Sequence, residues 1–108
     1  MFVRKLSFHL KPNMLTQFTN ILEKDILPVL RKQQGFKDEI AFATPGSSDV
    51  IVISLWDTQK NAETYANNTY GDVLKMLSSV LDGTPKLGTA EILHSTLSET
   101  RGSKPVAA

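Results

Sequence analysis

Two histidines, one tryptophan and two tyrosines are the residues of this chain best suited to handling a small organic molecule. Histidine's ordinary pKa of about 6.5 lets a neutral imidazole take a proton near neutrality, so His94 is the first candidate for a general base and His9 the second. Trp56 can donate its indole N–H or stack on a ring, and Tyr65 can close one end of a cavity. Ser7 and Ser54 extend this polar set, with Ile92 as the apolar neighbour of His94 on the same strand face. Each residue also has a plainer role open to it. A histidine on a sheet face can be structural or merely exposed, Trp56 can be a packing anchor, and Tyr65 and Tyr70 can wedge a helix against a sheet. A metal pair is not among the options: no third ligand stands at a supporting spacing, and there is no cysteine.

The elements that must position these residues follow from the hydrophobic period. From Phe2 to Leu10 the apolar residues Phe2, Leu6, Phe8 and Leu10 alternate with polar ones, the period of a strand. Asn13 is a suitable cap for a helix whose stripe is Leu15, Phe18, Leu22 and Ile26. Pro28 should kink or end that helix, with continuation through Val29 and Leu30, and Gln34-Gly35 should cap it. Ile40 and Phe42 mark a second strand, Pro45 to Asp49 a turn, and Val50 to Trp56 a third strand that is apolar nearly throughout. Asp57 or Thr58 then caps a second helix carrying Ala62, Tyr65 and Ala66. Asn67-Asn68-Thr69 interrupts it, and a further helical stretch reaches about Leu81. Asp82-Gly83-Thr84-Pro85 is read as its stop, and residues Leu87 to Leu97 as the fourth strand.

That order is βαββαβ, a ferredoxin-like α+β fold with a four-stranded antiparallel sheet. It occupies residues 1–97 as one domain, with residues 98–108 as a flexible C-terminal tail. Helices cover one face of such a sheet. With Ile51, Ile53 and Leu55 assigned to that face, Val50, Val52 and Trp56 point the other way, together with Ser7, His9, Ser54, Ile92 and His94. Leaving a tryptophan and two valines in water forfeits roughly 1.5–3 kcal/mol for each large side chain. A second copy packed face to face removes that exposure, so a homodimer forming a dimeric α/β barrel is expected.

Composition narrows the partners. The net charge is +1, with charged residues at 21%, which gives no electrostatic reason for binding nucleic acid or a membrane surface. The third strand also lacks the aromatic and basic residues on which an RNA-recognition module stacks bases. Met1-Phe2-Val3-Arg4-Lys5 enters the first strand without the apolar run of a secretion signal, and no segment is long enough to span a bilayer. A cytoplasmic protein is the expectation.

Element order, the Gln34-Gly35-Phe36 bend, the Leu55-Trp56-Asp57-Thr58 junction and the aromatic Tyr65 on the second helix together resemble the antibiotic biosynthesis monooxygenase family. The likeness covers roughly residues 2 to 97. It implies a small homodimer that oxidises a quinol or polyketide-like aromatic substrate in a cavity between sheet and helices, with no metal or flavin cofactor. The heme-degrading subset of that family is not matched: Tyr65 stands where its Trp would fall, Lys75 near its His, and the first strand has no asparagine. Oxygenation without a cofactor requires a substrate turned into an electron-rich anion, a base to make it, and a pocket that excludes water. The competing expectation is a non-catalytic dimeric barrel that binds a small lipophilic metabolite.

Overall fold

A computed structural model describes residues 1–97 of the chain; the expected C-terminal tail lies outside the described residues. Its strands are β1 (Phe2–Leu10), β2 (Phe36–Ala43), β3 (Asp49–Trp56) and β4 (Leu81–Glu91). They form one antiparallel sheet in the order β2-β3-β1-β4. The helices are α1 (Leu15–Ile21), α2 (Leu27–Arg31), α3 (Gln59–Asn68) and α4 (Tyr70–Leu77). This is the ferredoxin-like α+β plan, and the helices pack on a single face of the sheet.

Between α1 and α2 the chain makes a π-helical turn, Leu22–Ile26, so the three pieces run on as one rod. The turn shifts the hydrogen-bond phase just ahead of Pro28, which then occupies the first turn of α2. There a residue without an N–H leaves no bond unmade. Asn13 does not cap α1. It takes a left-handed conformation at φ 61°, and Met14 precedes the helix without a side-chain cap. Thr58 does cap α3, its Oγ accepting from the Asn61 amide. Gly35 turns the chain into β2 at φ 82°, where a Cβ would lie 2.2 Å from Asp57 Oδ1, so only glycine fits.

The sheet corrects two expectations. Cross-strand partners share a face, and β1 pairs Phe2 with Trp56, Leu6 with Val52 and Phe8 with Val50. Val50, Val52 and Trp56 therefore face the helices, while Ile51, Ile53 and Leu55 face away, the reverse of the sequence assignment. Both parities of β3 are apolar, so its own pattern carries no mark of which side is inward. The fourth strand begins and ends six residues earlier than expected. Asp82-Gly83-Thr84-Pro85 does not stop a helix: Ser7 pairs with Lys86 but His9 with Asp82, so Gly83, Thr84 and Pro85 bulge opposite Phe8. Gly83 takes φ 89° there, and an edge-strand bulge tolerates a proline.

The core fills the space between sheet and helices. Trp56 is fully buried, 5.6 Å from the Phe36 ring and 4.9 Å from the Tyr65 ring. Phe8 meets Phe18 edge to face at 5.5 Å. Among the described residues the opposite face of the sheet has no helix on it and shows Ile40, Phe42, Ile51 and Ile53. Among the described residues no helix is long and apolar enough to cross a membrane.

Candidate functional site

Following the register across β2, β3 and β1 on the helix-facing side gives three apolar rows and one polar row. Phe36, Trp56 and Phe2 form the first row; Ala41, Val52 and Leu6 form another, followed by Ala43, Val50 and Phe8. Between the first two lies Glu39 on β2, Ser54 on β3 and Arg4 on β1, each directly opposite the next. A strand period that alternates by polarity should place only apolar residues here. This single polar row in a packed core is where the fold departs from its own pattern.

All three of these side chains line a tight slot between the sheet and the helices, with a free volume of about 30 Å³. Leu22, Leu30, Val73 and Leu77 supply apolar walls, and Tyr65 and Tyr70 the aromatic ones.

Arg4 dominates the electrostatics. It is 5% exposed, and its Nη2 is buried with no hydrogen-bond partner among the described residues. Its guanidinium lies 4.9 Å from the centre of the Tyr70 ring and 5.5 Å from that of Tyr65. Burial pulls its pKa below the ordinary guanidinium range, and the two phenols act in the opposite sense. Arginine nevertheless keeps its charge in proteins. Burial raises both tyrosine pKa values while Arg4 works against the rise, so both phenols stay protonated. The Glu39 carboxyl is pushed up to about 7, by burial first and by the neighbouring Asp38 second. Among the described residues no ion pair joins it to Arg4.

Ser54 accepts a hydrogen bond from Trp56 Nε1 at 2.9 Å and retains its own hydroxyl proton. Trp56 thus stands behind the slot, backing Tyr65, and is not among the side chains that line it. Chemically, the row offers a carboxyl that exchanges its proton near neutrality, a hydroxyl donor and a fixed cation, all in apolar surroundings.

The structure divides the site residues expected from sequence. Ser54 and Tyr65 line the slot, with Trp56 against them. Ser7 and His9 lie on the opposite face of the sheet, where His9 Nδ1 pairs with Asp49 in a shallow groove that also includes Lys86. His94 follows the end of β4, is exposed and does not line the slot, and Ile92 beside it is half-buried. The early end of β4 removes these two from the sheet face on which they were placed. The sequence reading does not single out Arg4 and Glu39, although Arg4 is the one charge at an even position of the alternation Phe2, Leu6, Phe8, Leu10. Among the described residues no cluster of His, Asp and Glu can hold a metal.

No protein-family model matches this chain, and no curated protein matches it. Solved structures do. A monooxygenase from the gene ActVA-Orf6 of Streptomyces coelicolor, in complex with Nanaomycin D, superposes with a TM-score of 0.74 at 19% identity, covering 90% of this chain and 91% of the other. SnoaB, a cofactor-independent oxygenase from Streptomyces nogalater, gives 0.72 at 10% identity, covering 88% of this chain and 95% of the other. The NE2512 protein of unknown function from Nitrosomonas europaea gives 0.73 at 17%, covering 90% and 93%. The chain has the fold of the antibiotic biosynthesis monooxygenases.

Proposed function

We propose that this protein is a cofactor-independent monooxygenase acting on a small aromatic substrate bound in the slot between sheet and helices, which widens to admit it. The observation that carries the reading is the Glu39–Ser54–Arg4 row: a base with a pKa of about 7 and a buried cation, set across an aromatic-walled cavity. The fold shared with SnoaB and the ActVA-Orf6 monooxygenase supports it.

In this reading Glu39 takes the base role first given to His94 and His9. It removes a proton from the substrate, and Arg4 stabilises the anion that results. The anion passes one electron to dioxygen, the radical pair combines into a peroxide, and loss of water leaves a carbonyl. The substrate loses two hydrogens and gains one oxygen atom; the other oxygen departs as water. The substrate supplies all the electrons, so the balance needs no external reductant. Apolar walls keep bulk water from the anion.

The open sheet face with Ile40, Phe42, Ile51 and Ile53 is assigned to a second copy, giving a homodimer with one slot in each protomer. Oxygen uptake on a panel of quinols and anthrone-type phenols tests the activity. Turnover should fall at least a hundredfold in Glu39→Gln and stay unchanged in His94→Ala. Tight binding of these compounds without oxygen uptake assigns the slot to a non-catalytic carrier of a lipophilic metabolite instead.

A further inference from the structure

The charges on the open face of the sheet point to a control on its use, on the reading above that a second copy covers it. We propose that association of the two copies is governed by pH through His9, tightening as His9 takes up a proton and loosening as it gives one up.

The register shows why. At its paired positions the outer face carries Asp38 of β2, Asp49 of β3, Lys5 of β1, and Asp82 and Lys86 of β4. His9 of β1 is the one residue there whose type titrates near neutrality. With His9 protonated these charges cancel; with His9 neutral the face keeps one negative charge. A two-fold interface presents a surface to its own copy, so an uncancelled charge always meets its own sign. Sheets stacked face to face lie about 10 Å apart, within the reach of a charge at low salt.

His9 also sits where a second copy acts on it. Its cross-strand partners are Asp49 on one side and Asp82 on the other, and its Nδ1 meets the Asp49 carboxylate. The next row of the face is Phe42, Ile51, Ser7 and Lys86, so apolar contact at Phe42 and Ile51 brings the neighbouring sheet up to this pair. In the single chain both side chains are exposed, His9 by 64% and Asp49 by 55%, and an ion pair so open to solvent contributes little. A covering sheet takes that solvent away, and two carboxylates then favour an imidazolium between them. Association therefore takes up protons. The dimer strengthens as pH falls through histidine's ordinary range near 6.5 and weakens as pH rises through it. Lys86 beside the pair and Lys11 beyond the end of β1 keep their charge throughout and set no slope. Glu39 faces the helices on the other side of the sheet.

Sedimentation equilibrium of the intact chain at about pH 5.5 and about pH 8 tests this at low salt. The dimer dissociation constant should rise about fivefold or more toward the higher pH, and the ratio should shrink in ~0.5 M salt. His9→Asn keeps a donor toward Asp49 without the titrating charge, so it should associate at the weaker level at both pH values. His9→Lys, charged at both, should associate at the tighter level throughout. A wild-type constant that ignores pH overturns the proposal and leaves the homodimer standing. A pH response that persists in His9→Asn belongs to another group and overturns it as well. A wild type that sediments as a single chain at both pH values removes the homodimer and the control together.

Discussion

The Arg4 guanidinium lies 4.9 Å from the centre of the Tyr70 ring, set over an aromatic face, and among the described residues it pairs with no carboxylate. A cation–π contact of this kind is worth about 0.5–2 kcal/mol. Burying an unpaired guanidinium costs several kcal/mol, so the contact offsets only part of the penalty. Arg4→Met should therefore make the folded protein more stable, by about 1 kcal/mol or more, while removing activity. Urea unfolding of both proteins measures it. A clear loss of stability would show that Arg4 holds the fold together and is not reserved for a ligand.

Glu39 should leave its mark on the pH dependence of both stability and rate. Its carboxyl is pushed up to about 7 from an ordinary 4.5, chiefly by burial. A raised carboxyl pKa means that the folded state holds the proton more tightly than the unfolded chain. The corresponding stability is fully present below about 4.5 and is lost as pH rises through about 7. Allowing for partial exposure of Glu39, the loss should be about 1–2 kcal/mol. Glu39→Gln should flatten that slope. The rate should move in the opposite sense, rising through about pH 7 as the carboxylate forms. A profile that levels off below pH 5 would assign the base elsewhere.

The fold was legible because its elements are long and their periods switch cleanly. The α1 stripe, the helix break at Thr69 and the glycine bend at Gly35 all appear where spacing puts them. The β4 register was hidden, because Gly83 and Pro85 read as a terminator in a linear pattern and become a bulge only when β1 lies alongside. That shift moved His94 off the sheet. The inward parity of β3 was hidden for a different reason: Val, Ile and Leu alternate with one another, and only pairing with Phe2 and Phe8 of β1 decides between them. Once that is known, Arg4 and Glu39 stand out as the charges on the helix-facing side of β1, β3 and β2.

Ser54 and Trp56 form a buried pair two residues apart on β3, the indole donating at 2.9 Å. Ser54→Ala would leave the Trp56 N–H without an acceptor in a site with no exposure to water. The expected loss is about 1–3 kcal/mol, read from the urea midpoint. The indole N–H should also exchange faster with solvent in the variant. A loss under about 0.5 kcal/mol would mean the indole finds another acceptor, and that Ser54 is retained for the slot alone.

The open face of the sheet should decide the oligomer. Phe42 is 50% exposed and Ile40 36%, and Ile51 and Ile53 adjoin them through the β2–β3 register. Full burial of a large apolar side chain is worth roughly 1.5–3 kcal/mol, and these partly exposed ones gain about half of that or less each, which over both copies favours association at micromolar concentration. Sedimentation equilibrium should give twice the 11.9 kDa chain mass for wild type and a single chain for Phe42→Asp. The slot opens on the opposite side of the sheet, between it and the helices, so the monomeric variant should still take up an aromatic ligand. A monomeric wild type would leave the slot intact and remove the barrel. Loss of ligand binding in Phe42→Asp would instead show that the second copy helps to shape the slot.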